Sequence, residues 1–164
     1  MYTINEISRI GEFMLERNET LSVAESVTAG HLQAALSLSH DAMRFFEGGI
    51  TTYTIEQKVK HLGIDPMSAI TCNCVSKDIA SQMALGVQHL FSTTWGIAIT
   101  GYASRVSEAN INDLFAFYAF VYKGRVKHVY KIECADEDPF RVQQFYTAHT
   151  LQSFSDYIYA HAVM

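Results

Sequence analysis

Hydrophobic positions recur at helical spacing over the first part of the chain, where Ile4, Ile7, Ile10, Phe13, Met14 and Leu15 predict an amphipathic helix over residues 3–18. The apolar run from Leu21 to Ala24 follows at once and has the length of a buried strand. Leu32, Ala35 and Leu36 then return to helical spacing and predict a second helix over 28–38. A short turn carrying Met43, Phe45 and Phe46 leads into a strand from Gly48 to Tyr53. Thr54 stands where an N-cap belongs, Val59 and Leu62 continue a helix, and Gly63 stops it before a turn at Asp65 and Pro66.

Ser76 caps a longer helix over 77–91, with Ile79, Met83, Val87 and Leu90 on one face. Trp95 to Thr100 is a strongly apolar strand, and the polar, irregular stretch to Asn110 is a loop at its end. Leu114 to Tyr122 and Val126 to Cys134, separated by Lys123, Gly124 and Arg125, predict a hairpin. Pro139 suits the first turn of a last helix, in which Val142, Phe145, Leu151, Phe154 and Ile158 keep helical spacing. Helices interleaved with apolar strands, plus one hairpin, predict an α/β fold: a single three-layer α/β/α domain over 1–164 with a mixed β-sheet.

The 49% hydrophobic content of the 164 residues suffices for a core of that size. Twelve basic against 17 acidic side chains give a formal charge of −5 without a basic cluster, so no nucleic-acid partner is expected. No apolar run approaches the roughly 20 residues of a membrane span, so no membrane partner is expected either. The stretch MYTINEISRIGEFMLERN mixes charges instead of placing a basic region before an apolar block, and a cytoplasmic location is expected. Cys72, Cys74 and Cys134 form an odd, sparse set that fits reduced thiols, and the CxC pair lacks a second pair downstream. No metal or cofactor is expected.

The stretch LSVAESVTAG, from Leu21 to Gly30, is a strand-to-helix junction. Helix starts carry N–H groups without intrahelical partners, so Thr28, Ala29 and Gly30 are candidate donors to an anion or oxyanion beside Ser26. The plainer reading is that Ser26 or Thr28 is an N-cap. Four pieces line up in order along the chain: ESVTAG at 25–30, FEGGITTYTIEQK at 46–58, NCVS at 73–76 and ITGYA at 99–103. The ordered set resembles the C-terminal domain family of the competence and damage inducible protein CinA, whose corresponding patterns are ESCTGG, FxGGxxTYSNxxK, HGAVS and TGxAGPxGG.

The resemblance implies hydrolysis of an amide. Stand-alone members of that family are nicotinamide-nucleotide amidases, which convert nicotinamide mononucleotide to nicotinate mononucleotide and ammonia in pyridine-nucleotide salvage. Carried over by motif, Ser26 is the nucleophile, Lys58 its base and Tyr53 an orienting hydroxyl. Thr100 and Gly101 start a loop that meets ribose, phosphate or carboxamide, and Arg141 meets a phosphate bidentately. Thr28, Ala29 and Gly30 supply donors, Gly48 and Gly49 permit close backbone approach, and Glu25 supports the site. The partner implied is a small-molecule nucleotide.

The chain departs from the family patterns at several of these positions. Val27 and Ala29 replace a Cys and a Gly, Ile55 replaces an Asn, and Ser104 and Arg105 stand at the Gly-Pro of the third loop. Ala135, Asp136 and Glu137 stand where the family often has Gly-Asp-Arg. Three readings follow: an amidase, a domain that binds a nucleotide without turnover, and a structural or interaction protein on the same scaffold. Phe115, Phe117 and Phe120 fit a core or an interface, which leaves a homo-oligomer open.

Overall fold

The protein, described by a computed structural model over residues 4–107, 111–135 and 138–161, begins with helix α1 (Ile4–Arg17) and strand β1 (Leu21–Glu25). Helix α2 (His31–Leu36), a 3-10 turn (Ala42–Arg44) and β2 (Phe46–Thr51) follow. Three helices, α3 (Ile55–Leu62), α4 (Pro66–Thr71) and α5 (Lys77–Phe91), lead to β3 (Trp95–Gly101). The hairpin β4 (Leu114–Tyr122) and β5 (Arg125–Cys134) and the long α6 (Pro139–Ala160) complete it. The sheet order is β2-β1-β3-β4-β5, with β1 parallel to β2 and β3, and with β4 antiparallel to β3 and β5.

Strand alternation sorts the core into two layers. Leu21, Val23, Ile97, Ile99, Tyr118 and Phe120 point to one face and pack with residues of α1, α2 and α6, among them Ile10, Leu32, Leu151 and Phe154. Ala24, Ala98 and Ala119 point to the other face, where Ile79, Met83 and Val87 of α5 meet Leu62 of α3 and Ala69 of α4. The small side chains on this second face let α5 lie close to the sheet. A Cβ at Gly96 would collide with the carbonyl oxygen of Ala84, and one at Gly86 with that of Leu62. This is the α/β/α arrangement expected from the hydrophobic pattern.

Local capping explains most of the element ends. The Thr54 and Ser76 hydroxyls accept the N–H groups of Gln57 and Ile79, and Gly63 ends α3 in the left-handed conformation at φ 65°. Strands β3 and β5 differ from the sequence expectation by one residue at an end, and three elements differ by more. Helix α2 begins at His31 because Ala29 and Gly30 have φ of 50° and 107°, outside the helical region. Strand β2 starts at Phe46, which pairs with Leu21 ahead of a register shift, and it ends before Tyr53. The turn at Asp65 and Pro66 is the start of a helix, with the Asp65 carboxylate accepting the Ser68 N–H at 2.8 Å. In the aromatic strand β4, Phe120 is fully buried under α6. Among the described residues no helix is long and apolar enough to cross a membrane.

Candidate functional site

Parallel pairing brings the C-terminal ends of β1, β2 and β3 to one edge of the sheet. Helices α2 and α3 lie on opposite faces, so the chain diverges after Glu25 and after Thr51 and leaves a crevice between the two exits. A cleft of about 280 Å³ opens there. Ser26 and Val27 line it from the end of β1, Tyr53, Thr54, Ile55 and Lys58 from the start of α3, and Asn73, Cys74 and Val75 from the loop before α5. The segment after β3 adds Thr100 to Ser104 and Val106.

Ser26 and Lys58 meet at the floor of this cleft. The Lys58 ammonium donates to Ser26 Oγ at 3.0 Å and to the Thr52 carbonyl at 2.8 Å. Position follows from local structure: the Ser26 N–H donates to the Ile99 carbonyl at 3.1 Å, which extends β1 along β3, and the Thr54 cap sets where α3 starts. Lys58 is only 2% exposed. Burial lowers its pKa from the usual lysine value, opposed by the neighbouring Cys74 thiol, and burial raises that of Cys74 against the influence of Lys58. A lysine so perturbed reaches its neutral form nearer to neutrality, which a general base requires.

The other expected site residues divide between the cleft and its supports. Tyr53 stands at the rim, 69% exposed. Thr100 lines the cleft, and its hydroxyl donates to the Cys74 carbonyl at 2.7 Å. Gly101 lines it too, pressed against Ala116. Glu25 is fully buried under α2 and accepts the N–H groups of Gly30, Leu32 and Gln33 at 2.9–3.1 Å, together with the Thr28 hydroxyl and the Gln33 amide. The Ala29 N–H turns inward to the Ser26 carbonyl. The anion position expected at this helix start is therefore filled by the protein's own carboxylate, because Glu25 closes β1 directly beneath α2. Thr28, Ala29, Gly30 and Glu25 do not line the cleft.

Gly48 and Gly49 lie within β2, away from the cleft. Their missing side chains make room for Phe91 and for Gln33 with Val23. Arg141 is exposed in the first turn of α6, where its N–H is capped by Asp138 at 3.0 Å, and it does not line the cleft. Arg105 turns to a separate depression with Asp113 and Glu133. The end of the 101–110 loop and the Asp136 and Glu137 positions lie outside the described residues.

Sequence reasoning placed Asn73, Cys74 and Tyr102 in motifs but gave none of them a role in the site. Asn73 and Cys74 are both left-handed, at φ 49° and 59°, and the Asn73 amide donates to the Tyr102 hydroxyl at 3.2 Å. The signals available were their places in the NCVS and ITGYA motifs and asparagine's tolerance of that conformation. Among the described residues no three His, Cys, Asp or Glu side chains are grouped to hold a metal ion.

The family model of the CinA C-terminal domain matches residues 5–158. A CinA-like protein of Synechocystis sp. is 45% identical over 96 residues, which are 58% of this chain and 23% of that protein. One from Cyanothece sp. is 43% identical over the same shares, so the match spans less than a quarter of either relative's length. A CinA superfamily protein from Klebsiella pneumoniae superposes with a TM-score of 0.90 at 23% identity, covering 98% of this chain and 99% of that one. Its counterpart from Escherichia coli gives 0.85 at 27% identity, covering 93% and 88%.

Proposed function

Because the chain belongs to the CinA C-terminal domain family, we propose that it is a serine–lysine amidohydrolase of the nicotinamide-nucleotide amidase type. The observation that carries this reading is the 3.0 Å contact between Ser26 Oγ and a buried Lys58 Nζ at the floor of an open cleft. Neutral Lys58 takes the Ser26 proton as Oγ attacks the carbonyl carbon of the carboxamide. The resulting ammonium returns that proton to the leaving nitrogen, ammonia departs, and a serine ester is left. Water then attacks the ester with Lys58 again as base, releasing the carboxylic acid and restoring Ser26. With nicotinamide mononucleotide the products are nicotinate mononucleotide and ammonia. A cytoplasmic role in pyridine-nucleotide salvage belongs to the same proposal.

Ammonia release from nicotinamide mononucleotide tests it. Ser26→Ala is expected to lower turnover by at least about a thousandfold, as removal of a nucleophile does. Equal release from both proteins would remove Ser26 from the mechanism. A second reading, binding without turnover, is favoured by the departures from the family pattern around this cleft, where Val27 and Ile55 replace a Cys and an Asn and Ser104 replaces the Gly of the loop after β3. Saturable binding by calorimetry without ammonia release selects that reading.

A further inference from the structure

We propose that Tyr102 is the specificity-determining residue of this cleft, its ring forming the wall against which the planar ring of an aromatic carboxamide lies. The assignment rests on the amidase reading for the position of the amide carbon at Ser26, but not for the contact between rings.

Tyr102 is held through its backbone, its ring edge and its hydroxyl, and it lines the cleft. Its N–H donates to the Phe115 carbonyl at 2.9 Å, and its own carbonyl accepts the hydroxyl of the buried Tyr146 at 3.1 Å. Phe115 meets the ring edge-on, with centroids 5.5 Å apart at 75°. The hydroxyl accepts the Asn73 amide, tying the loop after β3 to the loop before α5. An aromatic wall fixed in this way loses little further freedom when a ligand settles against it.

The loop opposite is held in a costly conformation to make that tie. Asn73 and Cys74 are successive non-glycine residues in the left-handed region, and the Cys74 N–H to Ala69 and the Thr100 hydroxyl to the Cys74 carbonyl keep them there. Such strain persists where surrounding contacts over-determine it, and it gathers at ligand sites. Val27, Ile55, Val75 and Val106 supply apolar surface around the same space. Recognition here runs through ring stacking and apolar contact, and a pyridinium ring gains further from the negative face of a tyrosine.

Kinetics and calorimetry on the full chain with nicotinamide mononucleotide test the assignment. Tyr102→Leu keeps apolar bulk and removes the ring, so KM is expected to rise about tenfold or more while kcat changes by less than about threefold. Tyr102→Phe keeps the ring and drops only the Asn73 bond, and it restores most of the affinity. Dissociation constants measured in the Ser26→Ala background are expected to follow the same order, with thermal midpoints confirming that each variant folds. An unchanged KM in Tyr102→Leu, or equal losses in the Leu and Phe variants, would overturn the proposal. If the parent protein releases no ammonia, the amidase reading fails while the calorimetric comparison still decides Tyr102: a tenfold weaker dissociation constant in Tyr102→Leu supports it, and unchanged or absent binding overturns it.

Discussion

Lys58 concentrates the physics of the site in one side chain. Burial disfavours its ammonium, so its folded-state pKa lies below the unfolded value. If neutral Lys58 is the base, kcat/KM must climb with pH and level off above that lowered pKa, a limb that a pH–rate profile reads directly. The same shift sets a stability slope. Below the folded pKa the burial penalty is present in full, and as pH rises from the folded pKa towards the unfolded one, near 10.4, the unfolded chain binds more protons and the penalty fades. Stability due to Lys58 therefore increases with pH across that window. Lys58→Met removes the slope and is expected to raise the thermal midpoint at neutral pH while abolishing turnover, an exchange common at buried catalytic charges. A lowered thermal midpoint would overturn the destabilising effect of its burial, and retained turnover would remove Lys58 as the base.

At the scale of elements, the junction between β1 and α2 depends on Glu25. Helix α2 has only six residues, too few to persist without tertiary support. The Glu25 carboxylate supplies that support by accepting three of its early N–H groups, counting Gly30 at the cap position. Glu25→Ala leaves buried donors without partners and is expected to cost about 3 kcal/mol or more in denaturant unfolding. Ser26 follows directly, so turnover should fall as well. This part of the site was only half legible in the chain: an acid before a helix start is a local signal for support, but the helix end it fills was also the natural place to expect a ligand. The outcome turned on a few ångströms of strand position that no spacing rule contains.

For the molecule as a whole, the close seat of α5 on the sheet connects stability to the cleft. That helix follows the Asn73–Ser76 loop, and Gly96 lets it approach β3 without a side chain between. Gly96→Ala must push Ala84 away and is expected to destabilise the protein by about 2 kcal/mol, within the usual range for overpacking. A thermal or chemical unfolding curve checks this, and an unchanged midpoint would show that the layers shift freely. The three-layer arrangement itself was readable from the chain, because the apolar run from Leu21 to Ala24 is a strand buried on both faces and the helical segments interleaved with such strands can cover both.

What the sequence determined by itself was local or ordered: the helix caps at Thr54 and Ser76, the stop at Gly63, the hairpin, and the set of motif residues that identifies the family. These depend on neighbours within three or four positions and on order along the chain, both written in the chain. Only the tertiary structure decided that Ser26 and Lys58, 32 positions apart, meet at 3.0 Å, that Lys58 is buried, and that Arg141 stays outside the cleft. It also decided that Asn73 reaches Tyr102. Those outcomes follow from strand register and from the two faces to which α2 and α3 depart, and a difference of one residue in register would turn every side chain of a strand to the opposite layer. Read by itself, the LSVAESVTAG junction is a helix start capped by Ser26 or Thr28. The fold instead leaves α2 without a side-chain cap from either residue, turns the Thr28 hydroxyl to Glu25, and sets Ser26 beside a buried lysine.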